Sequence, residues 1–326
     1  MLLIFSRQGS FWGLLITFAA YSGLSLPTSA LLSALAYHNL PSPEAQFGRL
    51  RLWGSIGWML PSLPIYFWLA LKEDVDLHFI NYLAAGLAMV LVGITFFLPR
   101  TRFDGGSESP ASADASPYRE ALFRLFKKQG FGPFLAIVFL MHSSFVVLFH
   151  YSSPFLEDLG FPRKWLGPIQ CVGVLVEVPF FFLLPVSIRC LGYFGTIAVG
   201  CVTLLLRQVL YSTCTSSWLL VGSYLFAGLC VVFYLTGVSL AINTMAERSV
   251  RATAQTLLWL MGPGLGQMFG HRAVGWLATR DHGGLKPAFE FAAVTAGAAL
   301  LILVFGLRGK GIFSKGQEGG MRSVGP

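Results

Sequence analysis

The sequence predicts an all-α, polytopic helical membrane protein with about nine transmembrane helices, and two observations support this: the composition and the recurring apolar stretches. Of the 326 residues, 55% are hydrophobic and 12% are charged, which is about half the charged fraction of an average soluble domain. The mean hydropathy is +0.66. A chain with so few charged groups has too little polar surface to fold as a water-soluble globule.

Nine stretches of the chain are long and apolar enough to cross a bilayer. A transmembrane helix needs about 20 mostly apolar residues, because each residue adds about 1.5 Å towards a hydrocarbon thickness of about 30 Å. The predicted spans run approximately over Ser10–Tyr37, Leu50–Leu71, Leu77–Leu98, Phe131–Phe155, Trp165–Ile188, Phe194–Thr213, Trp218–Met245, Thr253–Leu277 and Pro287–Leu307.

The lysines and arginines indicate how the spans are oriented. If the spans alternate in direction, fifteen basic residues fall in one set of connections and six in the other. Because cytoplasmic connections carry the excess of Lys and Arg, we expect the 100–130 connection and the C-terminus in the cytoplasm and Met1 outside. The net charge of +8 is thus explained by orientation, and no nucleic-acid partner is expected.

One polar segment divides the chain into unequal parts. Residues 104–117 read DGGSESPASADASP, a composition that cannot bury enough apolar surface to fold and that predicts a flexible linker. The next residues, Tyr118–Lys128, place apolar and basic side chains at helical spacing, which predicts a short helix on the membrane surface. The predicted organisation is therefore 1–99 with three spans, 100–130 as cytoplasmic linker and interfacial helix, 131–308 with six spans, and 309–326 as cytoplasmic tail.

The entry to the second span carries a distinctive motif. Residues 47–58 read FGRLRLWGSIGW, preceded by LPT at 26–28. This motif resembles the R-x-W-G-T/S-I-G-F/W signature that opens the fifth helix in the nucleoside:proton symporter family of the major facilitator superfamily. Further stretches similar to that family lie at residues 82–86, 97–99, 154–156, 177–185, 189–192 and 254–257.

This resemblance covers nearly the whole chain and lacks only the family's first three helices. It implies the major facilitator fold, in which two six-helix halves are joined by a cytoplasmic loop and rock against each other. Residues 1–99 would then be a three-helix remnant of the N-terminal half, with the solute cavity between it and the six-helix C-terminal half. The implied function is transport of small polar solutes, nucleosides in particular, across the cell membrane with proton symport.

The chain departs from the family's pattern at positions where polar side chains are expected. Residues 145–149 read FVVLF, whereas family members tend to carry cavity-facing polar residues in that helix. Val174 stands where a glutamine is expected, and Val231 and Val232 stand where many members have an acidic residue. These departures bear on both proton coupling and nucleoside specificity.

Glu177 is the sharpest candidate for a functional side chain. A charged group near the middle of a span costs about 2.5 to 3.5 kcal/mol on insertion scales, so it needs a partner or a function. Gln170 precedes it by seven residues, which places both on one helical face. Arg207 lies at a similar depth in the next span and is a candidate partner, either in a structural ion pair or in a proton-linked switch.

The family motif supplies two further candidates. Arg51 can be a basic anchor at the cytoplasmic interface, but the resemblance implies that it faces the cavity as a substrate-binding or coupling residue. Ser55 lies one helical turn further into the span. The predicted substrate-binding or coupling set is therefore Arg51, Ser55, Gln170, Glu177 and Arg207.

Other classes of site have little support in the sequence. The five cysteines form no CxxC pair, and His142 and His150 have no third ligand at suitable spacing, so neither a metal site nor a cofactor is expected. The sequence contains neither HExxH nor GxSxG, and catalytic residues are not predicted. The expected partners are the lipid bilayer, a nucleoside-like solute and protons. Two alternatives stay open: a facilitator for another solute, such as an organic acid or sugar, and a truncated or decayed homologue that transports nothing.

Overall fold

The structure is a computed structural model that describes residue 4 and residues 9–40, 43–71, 78–96, 116–280 and 284–307. Its regular structure is helical, and the described residues contain no strand. The helices, numbered in chain order, are α1 (Phe11–Asn39), α2 (Pro43–Met59), α3 (Ser62–Leu71), α4 (His78–Thr95), α5 (Ser116–Lys127), α6 (Phe131–Asp158), α7 and α8 (together Arg163–Thr213), α9 (Ser217–Met245), α10 (251–280) and α11 (Lys286–Leu307).

These helices follow the nine predicted spans, with α2 and α3 together forming the second span and α5 lying between the third and the fourth. Four helical runs of the described chain are both long and apolar enough to cross a membrane, namely Phe131–Asp158, Arg163–Thr213, Ser217–Met245 and Lys286–Leu307. The chain is thus an all-α, polytopic membrane protein, and the predicted fold class is confirmed.

Arg163–Thr213 forms two spans rather than one. A continuous helix of 51 residues would be about 76 Å long, more than twice the hydrocarbon thickness of a bilayer. The run is broken at Gly192, whose φ of 67° and ψ of −179° are not helical. A backbone with this positive φ is open to glycine and strained for other residues. We therefore number residues 163–191 as α7 and residues 193–213 as α8.

A second break separates α2 from α3. The helix α2 ends at Met59 and α3 begins at Ser62, with Pro61 in the turn between them. Proline has no backbone N–H and its ring collides with the preceding helical turn, so it ends or kinks a helix. The predicted second span is consequently present as two shorter helices.

The helices after residue 130 pack closely through glycines. A Cβ atom added to Gly228 of α9 would lie 2.3 Å from the carbonyl oxygen of Gly173 of α7. Along α10, Gly262, Gly266 and Gly270 recur at every fourth position, and an added Cβ on each would lie within 3 Å of α6 atoms. Such small residues let two helix backbones approach, which is how membrane helices gain packing energy without a hydrophobic driving force.

The second span runs antiparallel along α7. Near one end of this contact, Gly48 of α2 lies against Phe181, where an added Cβ would be 3.0 Å from the carbonyl oxygen. Towards the other end, Gly167 approaches the side chain of Ser62, and the rings of Tyr66 and Trp165 have centroids 5.4 Å apart. As α1 also lies against α10, the first helices contact the later ones along a common face.

The helix α5 covers the end of the later bundle. It buries Ala121 and Leu125, and the Arg124 Nε lies 3.2 Å from a carboxylate oxygen of Glu247 in the α9–α10 connection. The phenylalanines Phe123 and Phe126 are exposed. The helix predicted after the linker is therefore present, while residues 104–115 of the linker lie outside the described part of the chain. The placement of α5 on a membrane surface and the division into domains stay predictions.

Besides the end of α11, at Ile302–Leu307, three of the described helices contain a wide π-helical turn. These turns span Val147–Tyr151 of α6, Val231–Thr236 of α9 and Leu260–Gly266 of α10. A π-turn inserts one residue into a helix and frequently marks a functional site. Each of the three turns lies beside the cavities described next.

Candidate functional site

A cavity with a volume of about 700 Å³ lies between the first helices and the later ones. Such a cleft, mostly apolar with a few converging polar groups, is what a small-molecule site looks like. The lining residues are Leu32 and Ala36 of α1; Phe47, Leu50, Arg51, Gly54, Ser55 and Trp58 of α2; Leu148 and Phe149 of α6; Gln170, Gly173, Val174 and Glu177 of α7; Tyr224, Ala227, Gly228, Val231 and Leu235 of α9; and Trp259 of α10.

Glu177 is the acidic residue in the cavity wall. Glu177 is buried, with 6% of its surface exposed, and its carboxyl group accepts a hydrogen bond from the Ser55 hydroxyl. Arg51 is the cation that interacts electrostatically with this carboxyl group. The carboxylate is thus held by one polar and one basic side chain, both from α2, which offsets part of the cost of burying it.

The helical period places these two α2 residues together. Arg51 and Ser55 are four residues apart, so they lie on one face of α2, one above the other. That face meets α7 because Gly48, one turn earlier, lets the two backbones approach. The pairing of α2 with Glu177 therefore follows from local spacing combined with a close helix contact.

Gln170 also lines the cavity, two turns before Glu177 on α7. Its Nε2 donates to the Ser153 hydroxyl oxygen of α6 at 2.6 Å. This bond orients the amide across the gap between α6 and α7. The structure therefore brings four of the five predicted site residues, Arg51, Ser55, Gln170 and Glu177, to one cavity.

Arg207 is elsewhere, and the predicted ion pair with Glu177 is wrong. Arg207 is fully buried in α8, where Nη1 donates to the Ser152 hydroxyl at 3.2 Å and Nη2 to the Tyr211 hydroxyl at 3.1 Å. Its guanidinium also stacks over the rings of Tyr211 and Tyr224, at 4.3 and 4.6 Å from the centroids. The partners of Arg207 are therefore side chains of α6, α8 and α9.

The departures from the family pattern lie in the cavity wall. Val174 and Val231 line it, together with Leu148 and Phe149 of the FVVLF stretch. Val232 is buried instead and does not line the cavity. The α6 wall is consequently apolar, α9 contributes Tyr224 beside its apolar residues, and the charged side chains of the cavity are Arg51 and Glu177.

A smaller cavity of about 390 Å³ adjoins the first one, and the two share Arg51, Phe149, Leu235 and Trp259 in their walls. Sequence reasoning did not find it. The remaining residues of its wall are Ser25, His142, Phe145, Val238, Ser239, Leu258, Pro263 and Gln267. The available signal was His142, a titratable side chain in the middle of an apolar span.

The described residues show no group of three or more His, Cys, Asp or Glu side chains that could hold a metal ion. All five cysteines are free thiols.

The chain matches the family model described as "Nucleoside H+ symporter" over residues 1–310. It is 25% identical over 282 residues to YegT of Escherichia coli strain K12, covering 83% of this chain. It is 23% identical over 277 residues to the xanthosine permease and 22% identical over 280 residues to the nucleoside permease NupG, both of the same organism, covering 80% and 81% of this chain. The chain spans about 64% of the length of each of these relatives.

A crystal structure of the nucleoside transporter NupG has the same fold. The two chains superpose with a TM-score of 0.70 at 19% sequence identity, over 93% of this chain and 78% of the other. At that identity the similarity concerns the arrangement of helices.

Proposed function

The chain belongs to the nucleoside H+ symporter family, and from this premise we propose that it moves nucleosides across the cell membrane by alternating access, coupled to protons through Glu177. The observation that carries the proposal is the buried carboxyl group of Glu177, which is held by Ser55 at the wall of a 700 Å³ cavity. The relatives named as nucleoside and xanthosine permeases support the solute class.

A carboxyl group in this position can serve both as a ligand and as a proton carrier. In its ionised form it accepts hydrogen bonds from solute hydroxyl groups, and the Ser55 hydroxyl and Arg51 stabilise its charge. In its protonated form the carboxyl group is neutral, so its exposure to an apolar environment during the conformational change costs less free energy. Alternation between the two forms would link one proton to each solute.

The position of the cavity suits a rocking movement. Its walls come from α1 and α2 on one side and from α6, α7, α9 and α10 on the other. Movement of one group against the other would open the cavity to alternate faces of the membrane. The Ser55–Glu177 bond crosses the boundary between these groups, so solute binding there would act on their contact.

The test is uptake of radiolabelled nucleosides by proteoliposomes that contain the full chain, with and without an inward proton gradient. We expect saturable uptake that the gradient increases. Glu177→Gln should abolish the response to the gradient while leaving exchange of solute partly intact, because glutamine keeps hydrogen-bonding capacity but carries no proton. Glu290→Gln is the matched control, since Glu290 is an exposed carboxylate on α11 and lines neither cavity.

Two results would contradict this proposal. If the well-folded chain neither takes up nor binds nucleosides, the proposed substrate class is wrong, and a homologue without transport activity is favoured. An unchanged gradient response in Glu177→Gln would remove the coupling role. A second solute belongs in the same assay, because the chain is 21% identical over 304 residues to the maltose permease of Geobacillus stearothermophilus. Uptake of maltose without nucleoside uptake would favour the sugar facilitator.

A further inference from the structure

The second cavity contains a histidine to which proton-coupled transport through Glu177 assigns no role. His142 of α6 lines this cavity and has 6% of its surface exposed. Its wall shares Arg51, Phe149, Leu235 and Trp259 with the larger cavity, so the two cavities are adjacent. A nucleoside that occupied both cavities would have one end near Glu177 and the other near His142.

The hydrogen bond of His142 fixes which ring nitrogen can accept. Nδ1 lies 2.9 Å from the carbonyl oxygen of Val138. A carbonyl oxygen only accepts, so Nδ1 must carry the hydrogen, and in the neutral ring Nε2 is then an acceptor. Among the described residues this is the hydrogen bond that the ring makes. Nε2 is left to accept from a donor that enters the cavity.

The ring of His142 is held in place by α10. An added Cβ on Gly262, within the π-turn of α10, would lie 2.8 Å from Nδ1 and 2.9 Å from Nε2 of His142. The imidazole therefore packs directly on the Gly262 backbone. A side chain fixed by its neighbours presents its acceptor in one direction, which is what discrimination between solutes requires.

Flat apolar surfaces lie beside the imidazole. The rings of Phe145 and Phe149 are stacked, with centroids 5.4 Å apart and planes 16° apart, and the His142 ring centroid lies 5.6 Å from that of Phe145. Trp259 contributes to the same wall. Aromatic faces favour contact with another flat ring.

We propose that His142 is a specificity-determining residue that accepts a hydrogen bond, through Nε2, from a ring N–H of a nucleobase lying in the second cavity. The sugar of the same nucleoside would then lie towards Glu177 in the first cavity. This inference rests on the proposed function and extends it, because it names the favoured class: nucleosides whose base carries a ring N–H, such as uridine and inosine.

The test compares ligands that differ at that one hydrogen. Binding of uridine and of 3-methyluridine, in which the N–H is replaced by N–CH₃, is measured by equilibrium dialysis with the purified full chain in detergent. Inosine and 1-methylinosine form a second pair. We expect the unmodified nucleoside to bind about tenfold more tightly, the usual effect of one hydrogen bond in a buried site.

The variants separate hydrogen bonding from packing. His142→Leu should reduce the ratio of the two affinities to about one, whereas His142→Gln should keep part of it because the amide oxygen can replace Nε2 as acceptor. Gly262→Ala leaves the imidazole intact but displaces it, and should also reduce the ratio. His150→Leu is the matched control, because His150 lies on the same helix outside both cavities and should leave the ratio unchanged.

The outcomes distinguish this inference from the function on which it rests. Binding of nucleosides with the same ratio in the wild type, His142→Leu and Gly262→Ala would overturn the role of His142 alone. Failure of the folded wild type to bind any of the four nucleosides would overturn the proposed function and the role of His142 with it. If His142→Leu does not fold, His142→Gln and Gly262→Ala decide the question on the same measurement.

Discussion

Ser55 of α2 donates a hydrogen bond to the carboxyl group of Glu177 of α7, although 122 positions of the chain separate the two residues. The bond joins the helices that precede the linker to those that follow it, at the wall of the cavity. Hydrogen bonds to an ionised group are stronger than those between neutral groups. Loss of this one hydroxyl group should therefore reduce both the stability of the chain and its affinity for solute.

We predict that Ser55→Ala lowers the free energy of unfolding by about 1 to 3 kcal/mol, because it removes a partner from a buried carboxylate. Ser55→Thr keeps the hydroxyl and should lose much less. Thermal unfolding of the purified chain is the measurement, with Ser62→Ala as control, since Ser62 contacts α7 at Gly167 instead of Glu177. Equal losses in the two alanine variants would contradict the special role of Ser55.

Arg207 and Glu177 should contribute independently to the free energy of unfolding. Arg207→Leu removes two hydrogen bonds and two ring contacts, and we expect a loss of about 2 to 4 kcal/mol. Because the guanidinium contacts Ser152, Tyr211 and Tyr224 rather than Glu177, adding Glu177→Leu should change stability additively, within about 0.5 kcal/mol. Recovery of stability in the double variant would instead reveal an ion pair between them.

The contact of α7 with α9 provides a third prediction. Gly228→Ala should lower stability by about 1 to 3 kcal/mol, because the new methyl group would overlap the Gly173 carbonyl and push α9 away. Since both glycines line the cavity, solute affinity should fall too. Gly222→Ala is the matched control on the same helix, as its added Cβ meets nothing within 4 Å. Similar melting temperatures for the two variants would contradict the close packing.

Two native cysteines test the membrane orientation. Cys190, next to Arg189 at the α7–α8 turn, should lie on the cytoplasmic side, and Cys214, at the far end of α8, on the outside. A membrane-impermeant maleimide should therefore label Cys214 but not Cys190 in intact cells, with Cys214→Ser and Cys190→Ser assigning the signal. Labelling of Cys190 before cell lysis would reverse the orientation.

The sequence predicted the spans well because each one rests on about 20 consecutive apolar residues, a signal that packing does not alter. It also placed Gln170 with Glu177 and Arg51 with Ser55, since both pairs lie on one face of their own helix. Contacts between different helices could not be predicted from the sequence. The same mid-span position is compatible with any of several faces, which is why Arg207 was assigned to Glu177 although it packs against Ser152 and two tyrosines.

The environment of His142 also depends on contacts between helices that the sequence did not predict. The His142 Nδ1 forms a hydrogen bond with the Val138 carbonyl oxygen, one turn earlier on the same helix. What periodicity could not supply was the π-turn of α10, which brings Gly262 against the imidazole. A π-turn shifts the register of a helix midway, and a regular helical pattern in the sequence contains no sign of that shift.

The single-residue break at Gly192 makes α7 and α8 mechanically dependent. A loop of several residues would allow one span to tilt without moving the next one. A connection of one residue allows much less independent movement. We therefore expect any displacement of α7 by a solute at Glu177 to be transferred to α8, which carries Arg207 and Tyr211. The carboxyl group of Glu177 and the guanidinium of Arg207 would then be displaced together, although they do not contact each other.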